Sequence, residues 1–303
     1  MNKKQFLGSS VLLLASLIWG CAFVAQSVAG SIVEPFTFQA TRSFLGTLVL
    51  IPVVLVLDSV KRKKPNFKKP SKEDNRFLLK GGIACGIVLT IATILQQVGL
   101  TLGTSAGKSG FITTMYILLV PVFGLAFKKR VLPIIWLCVV LGMVGLYLLC
   151  MADGFTLARG DFYTLLCSVA FTIHILTVDY FSPKTDGVKL SLLQFAVMTI
   201  ISGTMMFIFE NPSWENIKSA WLPICYAGIM SSGIAYTLQI VGQKNTEPAI
   251  ASLLMSFESV FAVLAGIIIL HETPSMQEAT GCVIMFTAVI ISQLPQKRGS
   301  NPP

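Results

Sequence analysis

One carboxylate in this chain sits where a carboxylate is costly. The stretch Glu247–Leu270, EPAIASLLMSFESVFAVLAGIIIL, is 24 residues long, and its only charge away from the ends is Glu258. At about 1.5 Å of rise per residue, such a helix crosses a hydrocarbon core of about 30 Å and holds Glu258 near the midplane. A charged side chain inserted there costs about 2.5–3.5 kcal/mol. The other helices must therefore give it a polar cavity, a partner or a proton. Three chemistries fit: binding a cationic group, carrying a coupling proton, or tying two helices together by a hydrogen bond.

Other polar residues interrupt apolar runs in the same way. His174 lies mid-run, where it fits a proton relay or a solute contact as well as a satisfied core position. Arg42 lies six residues inside its run. Its planar fork suits a solute carboxylate or a buried acid, and its long stem suits reaching outward to water. Lys108 is four residues inside the end of its run, and for it the outward reach is the favoured reading. Ser105, Ser109, Ile112 and Tyr116 recur at helical spacing, so that Lys108, Ser109 and Tyr116 present a partly polar face. Gln96 and Gln97, then Tyr236 and Gln239, are further interruptions; Trp19 and Phe23, four apart, could wall a cavity. The residues singled out for solute binding or coupling are Glu258, His174, Arg42, Trp19, Gln97, Ser109, Tyr116 and Tyr236. For the aromatic ones, plain packing is the competing reading.

The elements that must position these side chains follow from composition. Of 303 residues, 54% are hydrophobic and only 12% charged, and the mean hydropathy is +0.75. A soluble chain carries about 25% charge, so this is an all-α integral membrane protein, with the lipid bilayer as its first partner. The net charge of +9 would suggest nucleic acid in a soluble chain. Here the tract Lys61–Lys72 reads as a cytoplasmic topology anchor that also touches anionic lipid, and no nucleic-acid partner is expected. The seven cysteines form no C-x-x-C and there are only two histidines, so neither a disulfide framework nor a metal or other cofactor is expected. Nothing resembles an ATP-binding P-loop.

Ten apolar runs have spanning length: near Phe6–Val28, Phe36–Leu57, Phe77–Leu100, Thr104–Phe127, Val131–Met151, Asp161–Phe181, Leu190–Phe209, Ala220–Ile240, Glu247–Leu270 and Ser275–Leu294. The first is too long for a signal-peptide core and reads as a retained helix. Ser275-Met276-Gln277-Glu278 is a capping box directly before the last run. Glu34-Pro35 and Thr246-Glu247-Pro248 carry helix-start signals. Gly99-x3-Gly103-x3-Gly107 and Gly82-x3-Gly86 permit close helix approach. Trp214 and Trp221 flank a loop as interface anchors.

With the N-terminus inside, 19 Lys and Arg fall on cytoplasmic segments and two, Arg159 and Lys218, on outer loops. That bias predicts an N-in, C-in topology. The chain also repeats itself. Gly8, Leu14, Ser16 and Trp19 return as Gly160, Leu166, Ser168 and Phe171, a constant shift of 152. Val120 to Phe123 returns as Glu258 to Phe261, a shift of 138. Helices one to five (1–151) and six to ten (152–303) therefore read as two copies of one unit. An odd number of spans per copy makes them inverted, and the charges agree: Lys128-Lys129-Arg130 follows the fourth run, whereas uncharged-to-acidic His271-Glu272-Thr273 follows the ninth. Inverted repeats build many secondary transporters, with the solute site near the midplane.

At these residues the chain resembles the drug/metabolite transporter superfamily and, within it, the EamA family of ten-helix carriers, over nearly its whole length. The matching pieces are Leu17-Ile18-Trp19-Gly20, Arg42, the run from Ser105-Ala106-Gly107-Lys108-Ser109-Gly110-Phe111-Ile112 to Pro121, and Glu258 followed by Val260-Phe261. One departure bears on structure. Where the family has Glu-Pro, this chain has Glu258-Ser259, so the ninth helix lacks the proline that would kink it, whereas Pro121 keeps it in the fourth.

The resemblance implies a central cavity between two halves, alternating access and small organic solutes as cargo. The function expected is a secondary carrier of the cytoplasmic membrane, of bacterial type. It is expected to export amino acids, related metabolites or drug-like compounds as two five-helix halves rock about the cavity, with protons at Glu258 as one energy source. Uptake, a membrane-embedded lipid-modifying enzyme and a non-transporting scaffold or sensor are the alternatives.

Overall fold

Inside hydrocarbon a backbone must satisfy its own N–H and C=O groups, and every described element is accordingly a helix. The structure, a computed structural model, describes residues 3–63, 69–104, 106–126, 131–150, 159–270 and 275–294. The chain runs α1 (Lys3–Gly30), α2 (Pro35–Arg62), α3 (Lys72–Thr101), α4 (Ala106–Thr114), α5 (Tyr116–Ala126), α6 (Pro133–Cys150), α7 (Arg159–Phe181), α8 (Gly187–Phe209), α9 (Trp214–Ser219), α10 (Trp221–Cys225), a π-helical stretch (Tyr226–Ala235), α11 (Tyr236–Gln243), α12 (Pro248–Met255), α13 (Glu258–Leu270) and α14 (Met276–Gln293). Seven segments are long and apolar enough to cross a membrane. Shorter apolar helices begin at Pro133, Pro248 and Met276, where the fifth, ninth and tenth runs were expected.

Three expected runs are not continuous α-helices. The fourth breaks at Met115, whose N–H bonds Ile112 O at 3.2 Å in place of an i→i−4 bond. Pro121 follows the break inside α5, and its missing N–H weakens the same helix. The ninth breaks at Ser256–Phe257 although no proline follows Pro248 at its start. There Ser252 Oγ donates to Ala249 O (2.9 Å) and Ser256 Oγ to Leu253 O (2.7 Å). These bonds compete with the backbone ladder, which tightens to Phe257 N→Leu254 O and Ser259 N→Ser256 O. The serines supply the interruption that a proline would otherwise make. The eighth run carries the π-helical stretch.

The helix starts follow their local signals. Ser275 and Glu278 form the expected capping box, each side chain accepting from the other's backbone N–H. Ser71 and Asp74 form a second one at the start of α3. Pro35 and Pro248 stand at the first helical positions, after Glu34 and Glu247, neither of which caps with its side chain. Gly103, at φ 97°, lies beyond the end of α3, so the Gly99–Gly103–Gly107 spacing is not one helix face. Gly82 and Gly86 do permit close approach, their Cα positions lying against Leu193 and Val197 of α8. Trp214 and Trp221 are exposed, as interface anchors would be.

Helices from the first half pack mainly on helices from the second: α3 on α7 and α8, α2 on α8 and the π stretch, α6 on α14, α1 on α11 and α13. The two parts of the chain thus interleave. The α2–α8 contact is sealed along its length. In its middle Thr47 Oγ1 and Thr199 Oγ1 lie 3.4 Å apart. At one end Glu210 accepts from Phe36 N, Thr37 N and Thr37 Oγ1, each at 2.7 Å. At the other, Lys189 pairs with Asp58 (2.7 Å) and Lys61 with Asp186.

Candidate functional site

Where the interleaved helices leave room, a central cavity of about 500 Å³ opens between them. A wider vestibule, about 1300 Å³, lies at the lysine-rich end of the bundle, between the ends of α5 and α7 and the loop from α11 to α12. Gln239 lines the cavity and Gln243 the vestibule. Gln239 Nε2 donates to Gln243 Oε1 (3.1 Å), and Gln243 Nε2 donates to Ile175 O (3.2 Å). This amide relay spans the partition between the two spaces.

Glu258 is the first residue of α13 and lines the cavity, 7% exposed. The break in the ninth run gives it that place. A helix begins there in the middle of the run, and the positive end of its dipole favours a carboxylate. Tyr116, the first residue of α5 after the other break, stands within hydrogen-bonding reach of the Glu258 carboxylate. The two interruptions thus meet across the cavity.

Arg42 lines the same cavity and is 2% exposed. It does not reach out to water. Its Nε donates to Ser232 Oγ (3.2 Å) and its Nη1 to Gln26 Oε1 (3.4 Å), with the guanidinium carbon 5.6 Å from the Phe38 ring centroid. No ion pair joins Arg42 to Glu258 or to any other described residue. Tyr236 stands within hydrogen-bonding reach of Arg42 and electrostatic reach of Glu258. Trp19 packs edge-on against Tyr236, ring centroids 4.8 Å apart, and with Phe23 and Phe171 makes the apolar wall.

Of the residues singled out from sequence, Glu258, Arg42, Trp19, Tyr116 and Tyr236 come together around the cavity. His174 does not line it. Fully buried behind Tyr236, it meets Gln194 Oε1 through Nε2 at 3.1 Å. Gln97 and Ser109 are buried outside the lining, and the neighbour Gln96 takes the cavity position, its Nε2 donating to Thr113 Oγ1 at 3.2 Å. The side chain of Lys108 and residue Ser105 lie outside the described part, as do Lys128–Arg130 and His271–Thr273. Gln26, Ser231 and Ser232 were missed. Each is a small interruption in an apolar run; the bonds to Arg42 distinguish Gln26 and Ser232, and a place in the cavity lining distinguishes Ser231.

A buried cation without an ion pair and a buried carboxylate line one space inside a bundle of long apolar helices, the architecture of a multi-pass membrane protein. The sequence pattern of the EamA-like transporter family matches residues 6–151 and again residues 158–293. The chain belongs to that family, part of the drug/metabolite transporter superfamily, and is a membrane transporter. It is 27% identical over 296 residues to an uncharacterized transporter of Archaeoglobus fulgidus, covering 96% of this chain and 87% of that one. It is 22% identical over 290 residues to the uncharacterized transporter YoaV of Bacillus subtilis, covering 93% and 94%. A crystal structure superposes with a TM-score of 0.78 at 19% identity, covering 95% of this chain and 96% of the other, a likeness of fold.

Proposed function

We propose that the chain is a secondary carrier of the cytoplasmic membrane that exports small organic metabolites bearing both a carboxylate and an ammonium group, amino acids among them. The observation that carries this reading is the unpaired coexistence of Arg42 and Glu258 in one cavity. A lone buried charge is costly, and two left unpaired in one space are best compensated by a solute carrying the complementary pair. The planar fork of Arg42 suits a carboxylate, and Glu258 suits an ammonium group.

The frame we propose is ten spans, N-in and C-in, in two inverted repeats (1–151 and 152–303). The charge bias supports it. So does the contact pattern: exchanging the first five spans with the last five maps α3 on α7 to the contact of α1 with the eighth span, and leaves α2 on α8 and α6 on α14 as themselves. Thr47 and Thr199, the same 152 apart as the sequence repeat, touch. On this frame the vestibule faces the cytoplasm, and the Gln239–Gln243 relay closes it from the cavity.

The test is stabilisation of the purified protein in detergent by a library of metabolites, since a bound ligand raises stability as RT ln(1+[L]/Kd). A zwitterion is expected to stabilise the wild type. Glu258→Gln is expected to weaken that binding at least about tenfold, about 1.4 kcal/mol, and to abolish counterflow in liposomes. A protein that no zwitterion stabilises, or one that turns over a lipid in liposomes and moves no solute, would overturn the reading.

A further inference from the structure

Arg42 can present two edges to a carboxylate: the side edge, Nε with Nη2, or the end edge, Nη1 with Nη2. In this structure the side edge is spoken for. The single hydrogen on Nε goes to Ser232 Oγ at 3.2 Å, while Gln26 Oε1 takes one hydrogen of Nη1 at 3.4 Å. Ser232 is fully buried and does not line the cavity; it stands behind the guanidinium. Tyr236 also stands within hydrogen-bonding reach of the guanidinium, and a ligand at the end edge meets the hydrogens that Ser232, Gln26 and Tyr236 leave.

The packing shows why Ser232 stands there. It belongs to the π-helical stretch Tyr226–Ala235, whose wide i→i+5 turn brings consecutive residues nearer to one side than an α-helix does. Ser231 therefore reaches the cavity while Ser232, its neighbour, reaches Arg42. Two glycines let α2 rest on this stretch. A Cβ at Gly46 would fall 2.9 Å from Ser232 Cβ, and one at Gly228 would fall 3.0 Å from the Arg42 carbonyl oxygen. The distance from Arg42 to Ser232 is thus fixed by backbone contact.

We propose that Ser232 is a positioning residue that holds Arg42 end-on to the cavity, so that the carrier selects a planar carboxylate through Nη1 and Nη2. The inference rests on the reading of the cavity as the site for a zwitterionic solute. Ser232 touches no solute itself; it acts by occupying Nε.

The test uses three probes of one skeleton, which suits the apolar wall of Trp19, Phe23 and Phe171: L-leucine, 4-methylpentanoate, which lacks the ammonium group, and isoamylamine, which lacks the carboxylate. Each is titrated against thermal stability of the full chain in detergent. In Ser232→Ala Nε loses its acceptor and the guanidinium is free to tilt its side edge toward a ligand, so affinity for L-leucine and 4-methylpentanoate falls about tenfold while that for isoamylamine is unchanged. Ser232→Thr, which keeps the hydroxyl, restores the wild-type ranking. A folded Ser232→Ala protein that binds L-leucine within about twofold of wild type, or that loses all three probes alike, overturns the proposal. Should Ser232→Ala not fold, Ser232→Cys, similar in size but a weak acceptor, is read by the same ranking. A wild-type protein stabilised by none of the three would instead sink the zwitterion reading, and this proposal with it.

Discussion

The α2–α8 contact and the two broken spans use polar residues to opposite ends. Along α2–α8 the polar groups that meet are matched: threonine to threonine in the middle, Glu210 on the first amides of α2 at one end, two ion pairs at the other. At the breaks they face open space. Glu258 and Tyr116 begin new helices in the middle of their runs and turn to the cavity within hydrogen-bonding reach of each other, and the Ser259 hydroxyl is buried without a partner. Matched groups hold helices together but offer nothing to a solute. Unmatched charges cost stability, which a solute can repay. The difference teaches that in this bundle polarity by itself does not mark the cavity. Nor does a missing hydrogen bond, since Ser202 and Gln194 of α8 also carry buried atoms without a partner. What sets the cavity apart is a cation and a carboxylate that share one space without an ion pair between them.

Three changes sharpen or break that contrast outside the cavity. The largest effect is expected from Glu210→Ala, which leaves Phe36 N, Thr37 N and Thr37 Oγ1 without their acceptor. Thermal unfolding in detergent should report a loss of about 2 kcal/mol, with zwitterion affinity unchanged; a loss of affinity would mean that the seal and the site are one device. A smaller effect attaches to the Thr47–Thr199 contact. Valine at both positions should cost less than about 1 kcal/mol, because both partners are removed together. Cysteine at both should close an intramolecular disulfide on mild oxidation, seen as a reduction-sensitive mobility shift. Without that shift the two helices are not adjacent.

The smallest effect is at the ion pairs. Burial alone would raise the Asp186 carboxyl, but Lys61 and the amides of Lys189 and Val188 outweigh it and hold it below the usual carboxylate range. A carboxyl depressed in the folded state stabilises fully above its unfolded value, about 3.9, and this is lost as pH falls through the lower folded value. Stability measured across pH should therefore be flat with respect to this group near neutrality and should decline only below about pH 4. Asp186→Asn should remove that acid limb, and an unchanged limb would assign it to other carboxylates.

Much of the fold could be read from the chain because a bilayer leaves few solutions: runs of apolar residues, their caps and their lysines fix helices and ends. Glu258, Arg42 and the aromatic Trp19 were visible for the same reason, since a polar or charged residue inside an apolar run demands an explanation. What could not be read was pairing across helices. Gln96 and Gln97 are adjacent and alike in the sequence, yet only Gln96 lines the cavity. His174 is as conspicuous as Glu258, yet it bonds Gln194 behind the wall. The break at Ser256 was hidden because the expected signal was a proline, and serine side chains made it instead.

By itself the sequence determined that this chain lives in a membrane, which segments are helical, and that an acid must be housed at mid-depth. These follow from the cost of moving each residue out of water, which is local and can be summed along the chain. Only the tertiary structure decided which side chains share the cavity with that acid, that Arg42 stays unpaired beside it, and that α2 and α8 seal against each other. Those outcomes depend on close contact between residues far apart in sequence, set by the rotation of each helix about its own axis, and no single segment carries that information.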